Sequence, residues 1–104
     1  MKLNFSDLSR KRMDEIYRFY ELKSSNAAVK MYNKILDEAE TLKYFPYMAP
    51  IEPLLSDHAE TYRSLPVRKL FKIVYYVGED TIYISDIWDC RQSPDALKKR
   101  IQPV

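Results

Sequence analysis

Only one glycine, Gly78, occurs among 104 residues, and it falls between two runs rich in β-branched and aromatic side chains. Leu70-Phe71-Lys72-Ile73-Val74-Tyr75-Tyr76-Val77 comes before it. Thr81-Ile82-Tyr83-Ile84-Ser85-Asp86-Ile87-Trp88 follows Gly78-Glu79-Asp80. Such runs suit the pleated, half-buried surface of a sheet. Gly78 lies where a tight turn calls for a positive φ, so the two runs are expected to form a β-hairpin. Both parities of each run hold apolar residues, so alternation does not say which face meets the rest of the chain. The same scarcity removes whole function classes. A glycine-rich phosphate loop or a dinucleotide fingerprint needs more than one glycine.

Other rare residues narrow the field further. With one cysteine (Cys90) and one histidine (His58), an intrachain disulfide is impossible and a Cys/His zinc site lacks ligands. A serine–histidine triad would have to run through His58. No metal and no cofactor is expected. The chain is 46% hydrophobic and 31% charged, the balance of a folded globular protein. Its length suits a single domain over residues 1–104. Met1 to Tyr20 holds Lys2, Asp7, Arg10, Lys11, Arg12, Asp14, Glu15 and Arg18, which leaves no signal-peptide core. No apolar run is long enough to span a bilayer. A soluble cytoplasmic protein without membrane contact is the expectation. The formal charge of +2 divides unevenly, −1 over residues 1–60 and +3 over 61–104. That makes a mildly electropositive half and not a nucleic-acid-binding tail.

Along the chain, Lys2 to Phe5 is a short extended candidate. Ser6 or Asp7 can cap a helix whose residues Leu8, Met13, Ile16, Tyr17 and Tyr20 share one face. Ser24-Ser25-Asn26 interrupts the pattern and caps a second helix. In it Ala28, Tyr32, Ile35, Ala39 and Leu42 form an apolar stripe. The short polar connection predicts an antiparallel helical hairpin. Pro46, Pro50 and Pro53 make Lys43 to Glu60 an irregular loop. Thr61 to Leu65 reads as a strand ended by Pro66. Ser93-Pro94 starts a short helix with Leu97 and Ile101 on one side and Lys98-Lys99-Arg100 toward its C-terminus, where the dipole favours cations. The fold class is therefore α+β: an N-terminal helical hairpin packed on a small antiparallel β-sheet, with a short C-terminal helix.

That order of elements resembles the RelE/ParE superfamily of toxins from bacterial type II toxin–antitoxin systems. The matching stretch runs from Thr61 to Ile101. It holds Arg63 on the second strand, Leu70 to Tyr75 on the third, the acidic turn Glu79-Asp80, and Asp89-Cys90-Arg91-Gln92 after the fourth. The helical half is similar from Asn26-Ala27-Ala28 to Leu42, followed by Phe45-Pro46. The resemblance implies one of two activities. RelE-like members cut mRNA in the ribosomal A site without metal, and the matching catalytic positions here are Arg63, Lys72 and Arg91. Fixed cations at such positions stabilise the charge of a phosphorane-like transition state. ParE-like members poison DNA gyrase by binding. Lys72 stands where arginine is common, which keeps the charge but loses the bidentate grip on phosphate. No Tyr, His, Phe or Trp follows Arg91, so a general acid or base in that segment is missing. A toxin whose activity has decayed is a third reading. The implied partners are a cognate antitoxin that folds on binding through an acidic amphipathic segment, and either the ribosome with its mRNA or DNA gyrase. Operator DNA would be bound indirectly, through the antitoxin.

Each candidate also has an ordinary reading. Arg91 can simply pair with Asp89 or Asp95. Arg63 and Lys72 can be basic edge protection on strands. His58 reads as a surface loop residue. Trp88, Tyr75, Tyr76 and Tyr83 can stack bases but equally fill a core. Cys90 beside Arg91 reads as a buried or incidental cysteine, with a lowered thiol pKa as the functional alternative. Lys98-Lys99-Arg100 reads as a solvated helix end able to meet an acidic antitoxin.

Overall fold

A computed structural model describes residues 1–101. The elements run β1 (Lys2–Phe5), α1 (Asp7–Glu21), α2 (Ser25–Thr41), a 3-10 turn (Pro53–Leu55), β2 (Arg63–Val67), β3 (Phe71–Val77), β4 (Thr81–Asp89) and α3 (Pro94–Arg100). The caps are those the sequence offers. Ser6 Oγ accepts from the Ser9 N–H, and Ser24 Oγ accepts from the Ala27 N–H. Each such cap is worth about 1 kcal/mol over alanine. Pro94 occupies the first turn of α3 behind the Ser93 cap.

The sheet order is β1-β4-β3-β2. Strands β2, β3 and β4 are antiparallel, but β1 runs parallel to β4 from Lys2↔Thr81 to Phe5↔Ile84. The sheet is therefore mixed where the pattern suggested a wholly antiparallel one. The reason is connectivity: α1 and α2 intervene before the chain re-enters the sheet, and a crossover of that length permits a parallel neighbour.

Both faces of the sheet are covered, which explains the apolar residues at both parities. On one face Met13, Met31, Ile35, Ala39 and Leu42 of the helical half pack on Leu65, Val67, Phe71, Ile73, Tyr75, Ile82, Ile84 and Ile87. On the other, Leu97 and Ile101 pack with Leu55, Tyr62, Val74 and Trp88. A register shift lets β4 serve both. Val74 faces Asp86 and Tyr75 faces Ile84, so Ser85 is the extra residue of a bulge. Past it the helix-facing parity changes from Ile82 and Ile84 to Ile87.

Strand β2 starts two residues later than expected and continues through Pro66, because it is an edge strand. The Ser64 N–H donates outward to Pro50 O at 3.1 Å. Pro66, two residues on, points its nitrogen the same way and loses no ladder bond. The proline loop straps this edge: the Glu52 N–H donates to Tyr62 O at 2.8 Å, and Ile51 bridges Arg63.

Gly78 does not have a positive φ; Arg68 (50°) and Lys69 (59°) do, in the β2–β3 turn. The glycine is needed for a close approach instead. A Cβ there would lie 2.7 Å from Tyr83 Cε2 and 3.3 Å from Thr81 O. Gly78→Ala is expected to cost about 1–3 kcal/mol through overpacking, read by urea denaturation. Adding Tyr83→Ala should remove most of that added cost, because the clash is with its ring.

Candidate functional site

The three basic residues singled out from the sequence do not converge. Arg63 opens β2 opposite Tyr75, and opposed residues share a face, which here is the helical one. Its Nη1 donates to Ala49 O at 2.8 Å, and the guanidinium lies 5.1 Å from the Tyr47 ring centroid. Lys72 pairs with Trp88 on β4 and so lies on the α3 face. Arg91 follows β4, and its Nε and Nη2 each donate to Asp89 at 2.9 Å. It sits 5.9 Å and 6.0 Å from the rings of Phe19 and Phe71. Asp89 is opposite Phe71, four residues along β3 from Tyr75. That separates the Arg63 and Arg91 regions by roughly 13 Å along the strand.

Every one of the three is also engaged by the protein. Lys72 makes an ion pair with Glu52, a carboxylate only 3% exposed. Ser64 Oγ donates to Glu52 Oε1 at 2.9 Å, and the Leu54 N–H donates to Oε2 at 3.2 Å. Burial alone would raise the Glu52 carboxyl. The hydrogen bonds from Lys72, Leu54 and Ser64, with the charge of Lys72, outweigh it and hold the group below its ordinary value. Hydrogen bonding from Arg91 lowers the Asp89 carboxyl in the same way. Of the two partners offered to Arg91 by the sequence, the structure selects Asp89.

Other candidates turn out to be structural. The His58 side chain is 2% exposed rather than on the surface. Its Nδ1 is 3.0 Å from Asp57 Oδ1, Nε2 meets Ile101 O, and its ring stands edge-on to Tyr62. Trp88 and Tyr75 are buried, and the Tyr75 hydroxyl donates to Pro46 O at 2.8 Å. Tyr76 and Tyr83 stack on each other at 4.9 Å. Cys90 is exposed, but its thiol is raised and not lowered. Desolvation is the main cause, Asp89 and Glu52 add to it, and Lys72 opposes.

Arg100 is no solvated helix end. It pairs with Asp86, which is fully buried in the middle of β4, and lies 4.8 Å over the Trp88 ring. Burial raises the Asp86 carboxyl despite the nearby charges of Arg100 and Arg12 and hydrogen bonds from Ile87 and Arg100. Burial likewise lowers the Arg100 guanidinium, and Arg12 adds to that while Asp86 opposes it. Arg12 is itself paired with Glu15. Asp86 Oδ2, Arg100 Nε and Arg12 Nε are buried without a hydrogen-bond partner. The sequence signal for this network was Asp86 itself, a lone carboxylate inside an apolar strand.

The surface that remains open is apolar and aromatic. Tyr44, Phe45, Tyr47, Met48 and Ile51 are all at least half exposed just after α2. Phe19 is half exposed and Leu22 almost fully so at the end of α1. Contiguous apolar side chains of this kind mark interaction surfaces on proteins. Among the described residues no helix is long and apolar enough to cross a membrane.

The model of the family described as ParE toxin of the type II toxin–antitoxin system parDE matches residues 3–94. No curated protein matches the sequence. Among solved structures, a chain of the chromosomal ParDE toxin–antitoxin system from P. aeruginosa is similar in fold. Its TM-score is 0.71 at 21% identity, with 86% of this chain and 95% of that one covered. The family match takes in both helices of the hairpin and all four strands, and the chain belongs to the ParE toxin family of type II toxin–antitoxin systems.

Proposed function

We propose that this chain is a binding toxin, neutralised by a cognate antitoxin, that stops growth by docking on DNA gyrase and breaks no phosphodiester bond itself. One observation carries this reading over ribosome-dependent mRNA cleavage. Transition-state stabilisation requires cations gathered at one phosphate. Arg63 and Lys72 occupy opposite faces of the sheet, Arg63 and Arg91 opposite ends, and each is already paired. No histidine or aromatic residue follows Arg91 to serve as acid or base. The exposed run Tyr44, Phe45, Tyr47, Met48 and Ile51 supports a docking mode of action, since contiguous apolar surface of that kind marks interaction sites. Cytoplasmic action and operator binding through the antitoxin go with this reading.

The test is induction of the chain without its antitoxin, with mRNA 5′ ends mapped soon after and the purified chain added to a gyrase supercoiling reaction. Growth arrest with unchanged mRNA ends and inhibited supercoiling is the expected result. New ends in frame within translated codons that disappear in Arg91→Ala would replace it with the nuclease reading. Absence of arrest would point to a decayed toxin.

A further inference from the structure

The proline loop is held to the edge of β2 at successive points. Pro46 O accepts from the Tyr75 hydroxyl, Ala49 O from Arg63 Nη1 and Pro50 O from the Ser64 N–H, while the Glu52 N–H donates to Tyr62 O. These bonds fix the backbone beneath Tyr47, Met48 and Ile51, whose side chains are at least half exposed. A loop fastened in this way loses little conformational freedom when a partner covers it. Beside it, an open cavity of about 320 Å³ is lined by Tyr47, Ala59, Glu60, Thr61, Arg63 and Val77. Arg63 is only partly engaged there. Its Nη1 serves Ala49 O, and its guanidinium lies 5.1 Å from the Tyr47 ring centroid, which orients the fork. Its Nε and Nη2 make no hydrogen bond among the described residues, and neither atom is buried. Lys43 pairs with Glu40 and Lys72 with Glu52, whereas Arg63 has no carboxylate partner among the described residues.

We propose that Arg63, held against Tyr47, is the charged anchor of the docking surface: the target protein seats a carboxylate side chain on the open Nε and Nη2 edge and packs apolar side chains over Tyr47, Met48 and Ile51. This rests on the reading of the chain as a toxin that docks on gyrase, and adds the chemistry by which the target is recognised. That edge of a guanidinium presents two parallel donors spaced for the two oxygens of one carboxylate. Arginine and tyrosine carry much of the binding energy where an apolar surround excludes water. The aromatic face beside the guanidinium adds a cation–π attraction that grows on desolvation. A nucleic-acid phosphate fits less well. Duplex binding draws on several cations that neutralise a row of phosphates, whereas Arg63 stands alone and Glu60 lines the same cavity.

The test uses the purified full chain with gyrase, reading the concentration that half-inhibits supercoiling and the affinity for gyrase free of DNA. Arg63→Gln, Arg63→Lys, Tyr47→Ala and Glu60→Gln are compared with Arg10→Gln, a loss of one charge on an exposed residue of α1. Urea denaturation checks that each variant folds. Expected are losses of about 30-fold for Arg63→Gln and about tenfold for Tyr47→Ala. Arg63→Lys should also lose about tenfold, because an ammonium offers no planar fork. Glu60→Gln removes the carboxylate at the cavity and should tighten binding about threefold, a gain that a merely structural Arg63 would not produce. The Arg10 control should stay within about twofold. If the wild type inhibits gyrase and the folded Arg63 and Tyr47 variants inhibit it equally, the anchor is overturned and the docking-toxin reading stands. No inhibition by the wild type overturns both. Binding to a short DNA duplex that Arg63→Gln abolishes, without affinity for DNA-free gyrase, overturns the carboxylate as occupant.

Discussion

Asp86→Ala is expected to lower the unfolding free energy by about 3–5 kcal/mol, the cost of leaving one member of a buried pair uncompensated. A protein of this size has about 5–15 kcal/mol in total, so the loss is a large share of it. Asp86 is fully buried, and the Arg100 side chain is 14% exposed. Without the carboxylate, Arg100 remains against Trp88 with the like charge of Arg12 nearby. The cheapest escape is for Arg100 to swing into water, which drags α3 off the sheet and exposes Leu97 and Ile101. Hydrogen exchange should therefore show protection lost first at Ala96 and Ile101, whose amides donate to Ser93 O and Leu97 O in α3. The double change Asp86→Leu/Arg100→Leu removes both charges and should recover most of the stability. A loss under about 1 kcal/mol for Asp86→Ala would mean that the pair is solvated.

The pH behaviour of the same carboxylate has a definite sign. Burial raises its folded-state pKa above the ordinary value of 3.8, so the native state holds this proton more tightly than the unfolded one. Its contribution then favours the acid side of that window and declines as pH rises through it.

Local chemistry in the sequence was enough to narrow the caps to Ser6 or Asp7 and to Ser24-Ser25-Asn26, and for the cap at Ser93, the stripe on α2, and the β3–β4 hairpin. Each depends on residues within a turn or two of one another. What depended on distant neighbours was hidden. The partner strand of Lys2–Phe5 is about eighty residues away, and nothing in four residues tells parallel from antiparallel. The proline loop looked shapeless because the groups that order it, Glu52 with Ser64 and Lys72, come from different elements. The separation of Arg63 from Lys72 was legible in principle: with Val67 opposite Phe71, Arg63 takes the parity of Phe71, Ile73 and Tyr75, which leaves Lys72 on the other face. Spacing in sequence had grouped residues that the pleat divides. Phe19 is half exposed because it sits one step off the stripe that α1 turns to the core.

Lys72→Ala should cost about 2–3 kcal/mol at neutral pH and weaken the acid response of the protein. The figure lies at or below the lower end for a broken buried pair, because Lys72 is 24% exposed and because Ser64 and Leu54 still donate to Glu52. In the wild type, Glu52 is held below its ordinary value of 4.5. Its stabilisation is complete above that pH and is lost as pH falls through the folded value. Burial is the largest single influence on this carboxyl, and it acts upward. Once Lys72 and its charge are gone, burial is opposed only by the Leu54 and Ser64 hydrogen bonds, and the folded value moves up. Less stability is then lost as pH falls through this window than in the wild type. Urea midpoints from about pH 3 to 7, corrected by Glu52→Gln in which this carboxyl no longer titrates, should show a shallower acid slope for Lys72→Ala than for wild type. Equal slopes would place Lys72 free of Glu52 and restore it as a cation available to a ligand. A shallower slope would make it the fastening of the proline loop to β2 and β3, the strap that carries the exposed aromatic surface.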